Sequence, residues 1–330
     1  MHPITTDNNM TVSIIMPVYQ VSNYIERCLL SVMKQDYSDI ECIIVNDATK
    51  DDSMLKCERL INDYQGPIEF KIIHHSVNQG LSVARNTGTE AATGDYLYYL
   101  DSDDEITPDC IRKLVTPIKE DKSIQMVQGN HISKQEDKSV IFYKGSSPMV
   151  IMSNNDVYDQ FLHTINVNAW NKLLKRSFVL EHNLTFKEKL LCEDMLWMFY
   201  LMKHLEKAYL CNDVTYYYYD RPDSIMSGTD KKVLGNHMEV IYNEILNNLT
   251  IGKEKQELRA FLYVFCRWYI DLKRTNPSFK NTFNLFKSRA KQHGCYYDHS
   301  VLTMVGLMSQ VGNPLDILRK LNNLRLKITS

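Results

Sequence analysis

Three carboxylates, Asp101, Asp103 and Asp104, close a hydrophobic run in the stretch Gly94-Asp-Tyr-Leu-Tyr-Tyr-Leu-Asp-Ser-Asp-Asp-Glu105. Tyr96 to Leu100 carry no charge, which suits a strand buried on both faces. Buried carboxylates are costly unless paired or coordinated, so these belong at the exposed C-terminal mouth of the strand. Open α/β sheets bind ligands at that end. Asp101 and Asp103 are one residue apart and can aim at one hard divalent cation. Oxygen ligands select Mg2+ or Mn2+, ions that bind together with substrate phosphates. A solvated acidic turn ahead of the helix opened by Pro108 fits the same tripeptide. A second acidic pair, Glu193-Asp194, stands near the start of a helical pattern over Leu190 to Leu201, where the helix dipole alone would favour carboxylates.

The elements that must carry these groups alternate. Val12 to Pro17 reads as a first strand stopped by proline, with Val18-Tyr19-Gln20 as its loop. Ser22 or Asn23 fits a cap for a helix with the stripe Ile25, Cys28, Leu29 and Val32. Ile40 to Val45 is the next strand, ending in Asn46-Asp47; Asp51 to Tyr64 is the next helix. Ile68 to Ile73 is a third strand, Asn78-Gln79-Gly80 a loop, and Leu81 to Ala92 a helix ended by Gly94. Strand and helix alternate four times with short loops, the signature of a parallel sheet covered by helices. The turn after the first strand has no GxGxxG, and no GxxxxGK[ST] loop occurs, so phosphate charge falls to a metal and to arginine or lysine.

From about Ile124 the pattern loosens. Ile124 to Val127 and Val140 to Tyr143 read as strands, Tyr158 to Ile165 as a helix, and Val214 to Tyr219 as a tyrosine-rich strand. After Asp230 the chain reads as helices: Lys232 to Leu249, Lys253 to Lys273 and Ser278 to Lys291. We divide it into residues 1–230, with a nucleotide-binding half at about 11–125 and an acceptor-binding half at about 126–230, and a helical C-terminal region, 231–330.

Composition is that of a globular protein, and no run approaches the roughly 18 apolar residues of a membrane span. Met1 to Met10 is polar and lacks a basic-then-apolar signal, so a cytoplasmic location is expected. Eight cysteines are scattered without a CxxC pair, which points to reduced thiols rather than zinc or disulfides. The net charge of −2 is unevenly spread. Residues 1–130 hold 11 lysines and arginines against 20 aspartates and glutamates; residues 231–330 hold 16 against 7. The acidic part suits a metal site. The basic tail, with Arg319, Lys320, Arg325 and Lys327 late in Leu302 to Leu326, suits anionic lipid at the inner membrane face, packing on its own domain, or a second subunit in a homodimer. Nucleic-acid binding has only this tail in its favour, and we expect none.

Five motifs together resemble those of family 2 glycosyltransferases, inverting GT-A-fold enzymes of the kind that build bacterial polysaccharides from nucleotide-sugar donors. Val12-Ser-Ile-Ile-Met-Pro-Val-Tyr19 looks like the first strand and nucleotide loop, Ile43-Ile-Val-Asn-Asp47 like the second motif, and Asn78-Gln-Gly-Leu-Ser-Val-Ala-Arg-Asn86 like the third. Asp101-Ser-Asp103 matches the metal-binding DxD, and Leu191-Cys-Glu-Asp194 looks like the ED motif that supplies the base. The resemblance covers residues 11–225 and departs at Gln20, often asparagine, and at Asn46, often aspartate. It implies a mixed Rossmann-like sheet flanked by helices.

The resemblance also implies donor contacts at Pro17, Tyr19, Asp47, Asn78, Arg85 and Asp101. Tyr19 offers a flat face for a base, Asp47 an acceptor for a base N–H, and Arg85 a guanidinium for ribose, carbonyl or phosphate. Asp47 fits equally as an N-cap, unless Asp51 or Asp52 takes that part. Asp103 with Asp101 would hold Mn2+ or Mg2+, and Arg221 with Ser224 would clamp the diphosphate from a loop, or form an ordinary surface turn. Asp194, beside Glu193, would be the general base. Trp170 and Lys172 lie where the family builds its acceptor side; Trp170 fits a core position as well. Asp104 and Glu105 are expected to orient the loop or cap the next helix. The function implied is single-displacement transfer of a sugar, from UDP by family habit, to a saccharide or lipid-linked acceptor. The alternative is a non-catalytic nucleotide-sugar-binding subunit or scaffold.

Overall fold

The first hydrophobic run forms strand β1 (Val12–Val18), every residue of it buried. It pairs in parallel with β2 (Ile40–Asn46) on one side and β4 (Tyr96–Tyr99) on the other, and β3 (Glu69–His74) extends the sheet beyond β2. Parallel neighbours require crossovers. These are α1 (Ile25–Met33), α2 (Ser53–Asp63) and α3 (Leu81–Ala91). β1 and β4 are buried on both faces and, Ser13 apart, apolar or aromatic in sequence; edge strand β3 is only half-buried.

Beyond β4 the direction changes. β9 (Lys172–Lys175) runs antiparallel to β4 and to β6 (Met126–Gln135); β10 (Ala208–Tyr219) runs parallel to β6. The two-residue β5 (Glu105–Ile106) pairs antiparallel with the far end of β10. Two short strands, β7 (Lys138–Ile141) and β8 (Met149–Ile151), pair with β6 and β10. α4 (Cys110–Glu120) packs its buried side on β10 and β6. The mixed α/β sheet with flanking helices matches the fold expected from the motifs.

The computed structural model describes residues 10–135, 138–141, 149–151, 153–161, 165–221, 224, 228–261 and 279–294. Two compact units are formed: Met1–Val157 with Val167–Ser224, and Tyr158–Asn166 with Ile225–Ser330. Helix α5 (Asn154–Phe161) spans the point where the chain first leaves the first unit. The second unit contains α8 (Lys231–Asn247), whose N-cap Asp230 accepts from the backbone N–H groups of Lys232 and Val233, and α9 (Phe279–Gln292), packed on α8. Its buried Glu257 accepts from Tyr158 at 3.0 Å. No helix among the described residues is long and apolar enough to cross a membrane. The basic segment 302–326, and residues 262–273 of a helix expected from the pattern, lie outside them.

Several boundaries differ from the sequence reading for identifiable reasons. The α1 N-terminus has Tyr24, not Ser22 or Asn23, as its cap residue; the Ser22 N–H donates instead to Asp51 at 3.0 Å, tying that loop to the one before α2. β10 begins at Ala208, six residues ahead of the expected start, because register shifts between Leu210 and Tyr216 break its alternation. α7 (Glu193–His204) starts at Glu193 because Cys192 stands in the left-handed region (φ 57°). The expected helix over Tyr158 to Ile165 lies earlier, as α5, and Lys175 is followed by the short α6 (Arg176–Glu181).

Two glycines set how closely elements approach. A Cβ at Gly88 of α3 would stand 2.4 Å from Ile15 Cγ2, so its absence lets the helix lie against β1. A Cβ at Gly129 would stand 1.9 Å from Thr215 Oγ1 and 2.9 Å from Asn171 Oδ1. Asn171 is fully buried with φ 59°, a conformation asparagine tolerates. Its side chain donates to the Asn130 carbonyl (3.1 Å) and accepts from Thr215 (2.7 Å) and Tyr98 (3.2 Å), joining β4, β6 and β10. Gly129→Ala would force this knot apart. It is expected to lower stability by roughly 1–3 kcal/mol, the cost of overpacking a filled core, read as a reduced denaturant midpoint at unchanged slope.

Candidate active site

The C-terminal ends of β1, β2 and β4 carry three of the five motifs. Past β1, Tyr19 is 41% exposed while Pro17 is buried within the strand. At the end of β2, Asp47 is 3% exposed. Its carboxylate accepts from the backbone N–H groups of Gln79 and Gly80, each at 2.8 Å, and lies 2.8 Å from His75 Nδ1. Asn78 donates to the Asp47 carbonyl at 3.4 Å. Asp47 and Asn78 thus meet, and in this conformation both oxygens of Asp47 hold the loop that opens α3. Asp47 does not cap α2; Asp51 accepts from the hydroxyls of Thr49 and Ser53 and from the Ser53 N–H there.

Arg85, on α3, is 2% exposed. Its Nη2 donates to Asp101 at 2.6 Å and its Nη1 to Glu193 at 2.5 Å. One guanidinium therefore joins the acidic pair after β4 to the acidic pair that opens α7, residues far apart in the chain. Burial works against the Arg85 charge, but the carboxylates of Asp101, Glu193 and Asp194 outweigh it and raise the affinity of Arg85 for its proton. Arg85 is thereby placed among these acids rather than facing open solvent, although it read in the sequence as a donor contact.

Asp101 and Asp103 are each about a quarter exposed. Arg221 Nε donates to one Asp103 oxygen at 2.7 Å, and Arg27 Nη2 donates to the Asp103 carbonyl at 2.6 Å. Arg27 also lies 3.6 Å over the Tyr219 ring, and Arg221 4.7 Å from the Tyr24 ring. Burial, and then the charge of Asp101, raise the Asp103 carboxyl, against the pull of Arg221. Asp104 faces inward, 1% exposed, accepting from the Tyr216 hydroxyl (2.6 Å) and the Tyr219 N–H (2.9 Å), and so fastens the loop to the end of β10 as expected. Ser224 donates its N–H to the Arg221 carbonyl in the same turn; Pro222 and Asp223 lie outside the described residues.

No group of three or more His, Cys, Asp and Glu side chains that could hold a metal occurs among the described residues. Asp101 and Asp103 each have one oxygen engaged by an arginine and a second one not so engaged. Two carboxylates of this kind fit an ion that keeps several waters and completes its shell with phosphate oxygens. They do not fit an ion needing an all-protein cage.

Glu193 is buried and Asp194 half-buried. Burial, and then the Glu193 charge, push the Asp194 carboxyl up to about 7; Arg85 and Lys172 oppose this and Asp101 adds to it. Trp170 is 5% exposed and lies flat against Tyr216 (4.5 Å) and Tyr218 (5.6 Å), with His131 edge-on. That is its core position, and a ring so covered does not face a sugar. Lys172 is fully buried and donates to the Asn168 carbonyl, so it does not reach an acceptor directly in this conformation. Arg27 and His75 escaped the sequence reading as site residues. Arg27 sits in an ordinary amphipathic helix, and its partner is 76 residues away, with no local pattern to signal it.

Residues 13–178 match the glycosyl transferase family 2. The chain belongs to that family. It is a glycosyltransferase of GT-A fold. It is 28% identical over 237 residues to the uncharacterized glycosyltransferase EpsJ of Bacillus subtilis, covering 70% of this chain and 67% of that protein. It is 26% identical over 258 residues to the glycosyltransferase GlyG of Streptococcus pneumoniae, covering 75% and 84%. The matched stretch is only 24% of a further relative, GlyA of S. pneumoniae, and 50% of EpsH of B. subtilis. Among solved structures, S. aureus TarS 1-349 superposes with a TM-score of 0.68 at 19% identity, covering 96% of this chain and 92% of that one. Its complex with UDP-GlcNAc gives 0.61 at 19% identity over 89% and 90%. The mannosyltransferase PcManGT of Pyrobaculum calidifontis, solved with GDP-Man and Mn2+, gives 0.58 at 14% identity over 94% and 84%.

The raised Asp194 carboxyl has a thermodynamic consequence. An acid whose folded pKa exceeds its unfolded value favours folding below the unfolded pKa, and that contribution is lost as pH rises through the folded one. For Asp194 the window runs from 3.8 to about 7. Asp194→Asn removes the penalty of ionising this group in the fold. The variant should therefore gain in melting temperature over the parent at pH 7.5, and gain much less at pH 5.

Proposed function

We propose that the family 2 chain is a divalent-metal-dependent, inverting glycosyltransferase. It would transfer a sugar from a nucleotide-sugar, UDP-linked, to a hydroxyl of a saccharide or lipid-linked saccharide in surface polysaccharide or glycoconjugate synthesis. The observation that carries the reading is the Arg85 bridge, which brings Asp101 and Glu193 to one guanidinium and so unites a donor-side and an acceptor-side carboxylate.

The donor side is assigned to Tyr19, Asp47 and Asn78 for the nucleoside, and to Asp101 for the ribose. Tyr19 is exposed enough for a base to stack on it. Asp47, through its hold on Gln79 and Gly80, shapes the floor on which the base lies. Asp101 and Asp103 would hold Mn2+ or Mg2+, which when bound neutralises charge growing on the leaving diphosphate. Arg221, whose Nε now engages Asp103, belongs to the same phosphate region, with Ser224 in its turn. The acceptor hydroxyl oxygen attacks the anomeric carbon. The bond to the diphosphate oxygen breaks, its electron pair leaves with UDP, and the hydroxyl proton passes to Asp194. One base and no nucleophile give inversion, so an α-linked donor yields a β-linked product. TarS, a neighbour in fold, was solved with UDP-GlcNAc, and PcManGT with Mn2+, which supports the donor class and the ion.

Asp194→Asn should lower the turnover number by about 10²–10⁴-fold, the usual contribution of a general base, with UDP affinity kept within about twofold by calorimetry. Near-normal turnover would remove the base assignment. Asp103→Asn should abolish the stabilisation that UDP with Mn2+ gives in a thermal-shift titration; chelator should do the same to the parent protein.

A further inference from the structure

We infer that His75 is a positioning residue for the nucleoside half of the donor, its imidazole clamping the Asp47 carboxylate that orders the backbone of Gln79 and Gly80. The inference rests on the reading of Asp47 and Asn78 as nucleoside residues.

The imidazole is held at both nitrogens. Nδ1 lies 2.8 Å from Asp47 Oδ1, and Nε2 lies 3.0 Å from the Thr87 hydroxyl on α3. The backbone N–H of His75 donates to the Asn46 carbonyl at 2.9 Å, which pins the residue to the end of β2 as well. The side chains of His75 and Asp47 are only 7% and 4% exposed. A carboxylate accepts, so Nδ1 carries the hydrogen and donates it; in the neutral ring Nε2 then accepts from Thr87. One ring thus joins the end of β2, the residue after β3 and the middle of α3.

The loop that Asp47 orders has little else to hold it. Residues 76–79 are all exposed. Gly80 stands at φ 89°, and a Cβ built on it would meet nothing within 4 Å. Packing therefore does little to set where the Gln79 and Gly80 amides lie, and their hydrogen bonds to Asp47 do most of it. Those two amides leave the carboxylate free to tilt with the loop. A third bond, from a ring itself fixed at its far nitrogen, removes that freedom. Asn78, bonded to the Asp47 carbonyl, is carried in the same frame.

The test sets His75→Asn against His75→Gln, with UDP affinity in Mn2+ by calorimetry, kcat at saturating donor, and melting temperature measured on each. Asparagine can place an amide N–H where Nδ1 stands; glutamine can place one only where Nε2 stands. H75Q should weaken UDP about tenfold, the usual effect of losing a hydrogen bond to a charged group, with kcat changed by less than about twofold. H75N, the smaller side chain, should keep UDP affinity within about threefold of the parent. A residue that merely fills space would give the opposite order, since glutamine is nearer histidine in size. That order, equal affinities in the two variants, or a loss in kcat rather than in affinity overturns the inference. Should either variant fail to fold, 15N NMR of the His75 ring in the parent protein decides: hydrogen on Nδ1 supports the clamp, and an Nδ1 without hydrogen overturns it. Asp47→Asn tests the underlying reading separately. If D47N binds UDP as the parent does, the nucleoside role of Asp47 falls; if D47N weakens UDP while H75Q does not, only the role of His75 falls.

Discussion

The site depends on one shared guanidinium. Arg85 is buried, so its charge must be met by protein groups, and Asp101 and Glu193 meet it within hydrogen-bond distance. Each carboxylate alone would be costly in that environment, and removing one partner of such a buried set leaves the rest uncompensated. The bridge ties the end of β4 to the start of α7 through two directional hydrogen-bonded contacts. A donor-side acid and the neighbour of the proposed base are thus held in one geometry before any substrate arrives, the condition for a preorganised site.

Around that bridge the charges are sorted by how much water they retain. Asp101 and Asp103 keep partial exposure, which suits groups that receive a solvated ion and a diphosphate. Asp194 is half-buried and lies among other acids, and burial and then the Glu193 charge raise its carboxyl to about 7, where a proton acceptor is useful. Asp104 spends its charge on the Tyr216 hydroxyl and the Tyr219 backbone and so belongs to the scaffold, although it is adjacent in sequence to Asp103. Adjacent acids in one loop therefore take different parts because the strand end turns their side chains toward different surroundings.

Much of this was legible in the sequence. The mostly apolar runs of β1, β2 and β4, and the helical stripes between them, made the parallel half of the sheet legible, because there most positions are buried. The antiparallel half was read less well. β10 is interrupted by register shifts, and β9 has only four residues, too few for a period to declare itself. At the site, the acidic residues were legible because carboxylates closing hydrophobic strands demand an explanation. Their partners were not. Arg85 read as a donor contact because nothing in its local sequence tells of Glu193, 108 residues on. Trp170 and Lys172 were named for an acceptor surface, and burial gives Trp170 to the core and turns Lys172 inward.

The missing side chain at Gly88 reaches further than its size. Three residues after Arg85, it lets α3 rest on Ile15 with no atom between them. A guanidinium fork has little tolerance in distance, and its depth above the sheet is fixed by the spacing of that helix from β1. The precision with which two acids are gripped is therefore inherited from an apolar contact that touches neither of them. Tolerance to sequence change in this enzyme should run along the seam between helix and strand, and not simply outward from the charged centre.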